Sequence, residues 1–235
     1  MFQIGLENNT EGRSQAWVLG HPGCFAYGAD GSQALQAVPK AIQDYRQWID
    51  AHTHESWLNG TETERSERNE FRLEETWECY TINSNYELSQ EGYEVNAWFR
   101  HDWIPLSADD IQHGLLLLKW GREELEKTAG NLSVEILERT YPHERWSIAG
   151  ILNHIGGAEW WYQDKLGLIF PRQDVPEDPF QRLDKVRSNL IQILPGLAGS
   201  TQVVGISGEF WSPRKLLRRS VWHEYDHIIR IQKLL

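Results

Sequence analysis

The chain has 235 residues, 40% of them apolar, enough for one large packed domain or two of ordinary size. Its formal charge of −11 is uneven: residues 1 to 106 carry 7 Lys and Arg against 17 Asp and Glu, and residues 107 to 235 carry 16 against 17. An acidic first half repels a phosphate backbone, which argues against nucleic acid as a partner, and two cysteines, Cys24 and Cys79, make neither a disulfide framework nor a Cys-rich zinc module.

No apolar run approaches about 18 residues, and Met1 to Gly5 lacks a basic stretch followed by an apolar one, so the expectation is a soluble, cytoplasmic protein with no membrane partner. Alternation predicts strands at 2–6, 16–20 and 24–27, with a turn-rich stretch from Glu7 to Ser14 and a tight turn at His21-Pro22-Gly23. The period then changes. Ala34, Leu35, Val38, Ile42, Tyr45, Trp48 and Ile49 fall at helical steps, predicting an amphipathic helix from about Ser32 to Ala51.

This β-β-β-α run, with Pro22-Gly23-Cys24-Phe25-Ala26-Tyr27-Gly28 followed by Ala34-Leu35 and Ala41-Ile42, resembles the HicB-like antitoxin fold over about residues 1 to 52. That family neutralises a small RNase through this domain. The resemblance implies a small α+β domain, and with the acidic surface it suits a basic protein partner. His21, His52 and His54 are read as surface histidines.

Thr53 to Glu70 is polar and acidic and reads as a solvated connector. Phe71 to Ile82 and Tyr93 to Arg100 read as two strands that extend the first sheet, so that the first domain takes residues 1–105. Ser107-Ala108-Asp109-Asp110 starts a helix with a capping box, carrying Ile111, Leu115, Leu118 and Leu125 toward a core. After a connection from Asn131 to Pro142, Ser147 caps a second helix with Ile148, Ile151, Leu152, Ile155 and Ala158 on one face. A third runs from about Asp178 to Leu194. The last follows Ser212 as N-cap and Pro213 as first residue.

The chemistry-bearing pattern is in these helices. His223 and His227 are four residues apart, about 40° apart around a helix axis, so two imidazoles on one face can share a metal ion. Such a pair needs a third ligand from a facing element. His154 lies at the edge of the second helix's apolar face, where a histidine either hydrogen-bonds inside a core or binds something; His113 and His143 are its competitors. Three imidazoles would make an N-rich site with open positions, the usual way to hold a catalytic metal. Glu159, Glu224 and Asp226 are candidate acceptors for an imidazole N–H, with Glu224 expected to face solvent, and Arg214, Lys215, Arg218 and Arg219 are expected to form a solvated basic face.

Trp146-Ser147 opening one helix, His154 within it, and a late helix bearing His223 and His227 together resemble the DinB-like metalloenzyme superfamily over about residues 107 to 235. The resemblance implies an up-down four-helix bundle in residues 106–235, with one divalent ion (nickel, zinc or manganese in different members) held by three His and solvent. It also implies activation of water or a small thiol, as in a hydrolase or a thiol S-transferase, on an unidentified small-molecule substrate. The interval from His154 to His223 leaves room for one intervening helix and a modest connection. The competing reading is a non-enzymatic binding module, in which the HicB-like domain captures a partner and the helical half is scaffold; monomer and homodimer both stay open.

Overall fold

The structure is a computed structural model that describes residues 1–53 and 70–235. His54 and nearly all of the acidic connector lie outside the described residues. The chain is mixed α/β, a small sheet followed by helices, and it divides into two compact units: Met1–His101 with Gly205–Phe210, and Asp102–Val204 with Trp211–Leu235.

In the first unit, β1 (Phe2–Thr10), β2 (Arg13–Val18) and β3 (Phe25–Gly28) form an antiparallel meander, and β4 (Phe71–Glu78) adds beside β1 in parallel, giving the order β3-β2-β1-β4. The turn expected over Glu7 to Ser14 is instead paired strand on both sides of a two-residue reversal. Glu11 (φ 49) and Gly12 (φ 75) both adopt the left-handed conformation that such a hairpin turn requires. The polar run misleads because its side chains find partners within the fold. Glu7 is fully buried and accepts from Trp17 Nε1 (2.8 Å), the Ala97 amide (2.7 Å) and Cys79 Sγ (3.2 Å), while Asn8 Oδ1 accepts from Ser14 Oγ (2.8 Å).

Helix α1 (Gly31–His52) begins where Asp30 accepts from the Gln33 amide, and it buries Ala34, Val38, Ile42, Tyr45 and Ile49. These positions are the stripe that the helical period selects. The strand expected over Phe71–Ile82 breaks after Glu78: Tyr80–Ile82 (β5) leaves the sheet to pair with Tyr93–Val95 (β6) as a separate ribbon. A hairpin of β7 (Val204–Ile206) and β8 (Glu209–Trp211) lies between the third and last predicted helices. Its residues 205–210 belong to the first unit, where Glu209 accepts from the Asn96 amide at 2.8 Å and Phe210 lies 5.7 Å from the Trp98 ring.

The second unit is helical: α2 (Ala108–Ala129), a short α3 (Val134–Leu137), α4 (Ile148–Asp164), α5 (Pro179–Ile193) and α6 (Pro213–Leu234). Ser107, Ser133, Ser147, Asp178 and Ser212 cap their N-termini, Ser107 in a reciprocal capping box with Asp110. One core joins Leu125 from α2, Ile148, Ile151, Leu152 and Ile155 from α4, Leu183 from α5, and Ile228 and Ile231 from α6. Each such side chain contributes about 1.5–3 kcal/mol on burial. Helices α2 and α6 approach closely at Gly114, where an added Cβ would sit 2.8 Å from Leu217.

The basic cluster of α6 is buried, contrary to the solvated face expected of it. Arg218 lies against Asp102 (Nη2–Oδ2 2.7 Å, Nε–Oδ1 3.1 Å), and Arg214 donates to Asp110 and to the Ile104 and Pro105 carbonyls, all at 2.7 Å. Lys215 Nζ sits 4.6 Å from the Trp211 ring, and the Arg219 guanidinium 4.4 Å from that of Trp222. The carboxylates come from segments about a hundred residues earlier, so sequence neighbours gave no sign of them. Among the described residues, no helix is long and apolar enough to cross a membrane.

Candidate metal centre

Helices α4 and α6 pack against each other, and their facing sides bring His154, His223 and His227 together, with one ring nitrogen of each within 4.8 Å of the other two. His223 Nε2 lies 3.0 Å from His154 Nε2 and 3.1 Å from His227 Nε2. A neutral imidazole nitrogen has one in-plane position, filled by either a proton or a lone pair, so one Nε2 cannot donate to one neighbour while accepting from the other. Lone pairs converging on a shared point avoid the conflict. Spacings of 3.0 and 3.1 Å would let neighbouring imidazoles reach one shared ion at metal–nitrogen bonds of about 2.0–2.1 Å. The three residues therefore fit a divalent cation.

The surroundings favour neutral, fixed rings. Burial holds His223 well below the ordinary histidine range, and the neighbouring His227, His154 and Arg219 add to that effect. Neutral imidazole is the form that ligates metal. Trp146 stacks on His154 with centroids 4.5 Å apart and 26° between planes. That indole is itself held: Arg145 lies 4.8 Å and Arg230 6.0 Å from it, and Arg230 pairs with Glu144, tying the segment before α4 to α6. Gly150 leaves the room it needs, since an added Cβ would sit 2.9 Å from Trp146 Cβ. On the other side Tyr162 meets His223 edge to face at 5.9 Å and stacks on the fully buried Trp211 at 5.4 Å.

Helices α2, α4, α5 and α6 each supply one charged side chain to a buried ion network. Arg187 (α5) donates to Glu159 (α4) at 2.9 and 2.6 Å, to Glu224 (α6), and to the Leu118 carbonyl (α2) at 2.6 Å; Arg122 (α2) donates to Glu224 at 2.8 Å. Burial alone would raise the Glu224 pKa, but the charges of Arg187 and Arg122 outweigh it and hold the carboxyl below its usual range. Glu224 therefore faces two arginines rather than solvent, and Glu159 is engaged by Arg187 instead of by an imidazole. A signal for this was present: Arg187 falls on the inner stripe of α5 with Leu183, Val186 and Leu190, where a charge needs a buried partner. Of the other histidines considered, His113 is partly buried on α2 and His143 exposed, and neither joins the cluster.

Comparison of the chain with protein-family models, with curated proteins and with solved structures finds no match in any of the three.

Proposed function

We propose that the helical unit is a metal-dependent enzyme of DinB-like type, with one divalent ion on His154, His223 and His227 that activates water or a small thiol. The convergence of three Nε2 atoms at 3.0 and 3.1 Å carries this reading. Of nickel, zinc and manganese, the first two suit an all-imidazole site best, manganese preferring oxygen ligands. Held by His154, His223 and His227 as neutral imidazoles, such an ion would keep its full charge, which would lower the pKa of a bound water or thiol and polarise a carbonyl.

The chain's own residues do the rest. Trp146 fixes the His154 ring, and Tyr162 and Trp211 wall the His223 side with aromatic surface. Glu224, held ionised between two arginines, is a structural counter-charge rather than a proton shuttle. Four long helices around one core support the four-helix-bundle reading of this unit, and the β-β-β-α order supports the HicB-like reading of the first.

Protein purified without a polyhistidine tag should carry close to one divalent ion per chain by elemental analysis. His154→Ala, His223→Ala and His227→Ala should each lose most of it, while His113→Ala and His143→Ala retain it. Metal kept in His154→Ala but lost in His113→Ala would overturn the site. Thiol-transfer activity that follows metal content across this series would separate the enzyme from a scaffold serving partner capture by the first unit.

A further inference from the structure

Helices α2 and α5 each pack more closely on another helix than on each other, α2 on α6 and α5 on α4, and between them lies a cavity of about 220 Å³. Arg122, Leu125 and Glu126 line it from α2, and Phe180, Leu183 and Asp184 from α5. Its apolar wall is part of the core, since Leu125 and Leu183 are buried there and Phe180 packs against them. Glu126 and Asp184 are exposed, which puts two carboxylates at its mouth. Arg122 is the buried polar group, 8% exposed, and its guanidinium is only partly satisfied. Nε donates to Glu224 at 2.8 Å, Nη1 lies 3.7 Å from Asp184, beyond hydrogen-bond reach, and the buried Nη2 has no hydrogen-bond partner among the described residues. Buried donors are nearly always paired, because leaving one without an acceptor is costly. The ion network that holds Arg122 balances itself, two arginines against Glu159 and Glu224, so the charge left on the cavity is that of Glu126 and Asp184.

We infer that this cavity is a second ligand site, for a small α-amino compound with an apolar side chain. Its carbonyl oxygen accepts from the Nη donors of Arg122, its ammonium pairs with Glu126 and Asp184, and its side chain lies against Leu125, Phe180 and Leu183. The mixed chemistry of the walls selects this class. A plain acid would bring its charge beside two carboxylates, and a plain amine would leave the Nη donors of Arg122 as they stand. An apolar cavity of about 150 Å³ holds benzene, so the larger one here takes a branched or aromatic side chain together with the two polar groups. A free amino acid and an amino-acid amide share this chemistry and differ in the charge of the acceptor offered to Arg122. None of the six residues belongs to the histidine cluster, so the site stands whether or not the histidines hold a metal.

Calorimetric titration of the full chain with L-leucine, L-leucinamide, 3-methylbutylamine and 4-methylpentanamide tests this, the last two lacking the carbonyl and the amine respectively. Leucine, leucinamide or both should bind about tenfold more tightly than either fragment. Tighter leucine identifies the free acid as the ligand class, and tighter leucinamide the amide. Glu126→Gln combined with Asp184→Asn, both at exposed positions, should weaken the better ligand about tenfold, to the level of 4-methylpentanamide, with the circular dichroism spectrum unchanged. Arg122→Lys, which keeps a charge for Glu224 but loses the guanidinium fork, should weaken it by a similar factor. No detectable binding of leucine or leucinamide, binding no tighter than that of the fragments, or full affinity in the Glu126 and Asp184 double variant would overturn the inference. If Arg122→Lys does not fold, the double variant alone decides.

Discussion

His154 is held by a tryptophan plate on one side and by two imidazoles on the other, and its position depends on a glycine one turn earlier. Gly150→Ala would put a methyl 2.9 Å from Trp146 Cβ, closer than packed atoms sit, so the indole must shift and loosen its stack on His154. We expect metal affinity to fall roughly tenfold, the scale at which groups supporting a ligand act, with helix content by circular dichroism unchanged. The Cys24 thiol is also constrained. Burial pushes its pKa far up and outweighs the lowering by the charge of Arg46, so the reactive thiolate is suppressed in the folded chain. A thiol reagent at mild alkaline pH should label Cys24 only after denaturant is added, as read by mass spectrometry; fast labelling of the native chain would contradict its burial.

At the scale of elements, the Arg122, Glu224, Arg187 and Glu159 network fixes how four helices are rotated against one another. Arg187→Met leaves two buried carboxylates short of their cation and should cost about 3–5 kcal/mol in urea unfolding. Replacing Arg187, Glu159 and Glu224 together by apolar residues of similar volume should recover much of that loss, because burying the charges is itself costly. Ser107→Ala, which removes one half of the capping box on α2, should cost only about 1 kcal/mol. The helices themselves were legible before the fold was known: Ser107, Ser147, Asp178 and Ser212 all cap where local sequence places them. The strands were less so, because Glu7, Asn8 and Asn9 read as turn residues until Trp17, Ser14 and Glu78 supply their partners.

At the scale of the whole molecule, acid is the condition to which this chain should be most sensitive. Asp110 has its pKa lowered because Arg214 and the Ser107 amide outweigh the effect of partial burial, and Glu224 is lowered by Arg187 and Arg122 against a larger burial. Both bind protons less readily folded than unfolded, so the stability they contribute is complete above the unfolded carboxylate range, about pH 4–4.5, and is lost as pH falls through their lower folded values. Urea midpoints should begin to fall below about pH 6.5, where the unfolded chain protonates His223 more readily than the folded one, and drop steeply below about 4. For Arg187→Met that drop should be shallower, since Glu224 loses its main counter-charge; an equally steep drop would remove Glu224 as its source.

By itself the sequence determined where the helices start, which faces they bury and that His223 and His227 share one side, because caps and 3.6-residue periodicity are local properties of a chain. It also narrowed the third histidine to a few candidates. Only the tertiary structure decided that His154 closes the triangle, that Arg214 and Arg218 are buried against Asp110 and Asp102, and that Arg187 and Arg122 hold Glu224. Those partners lie 37 to 116 residues apart in the chain. A buried charge is stable only beside its counter-charge, and which counter-charge it meets is set by how the helices pack.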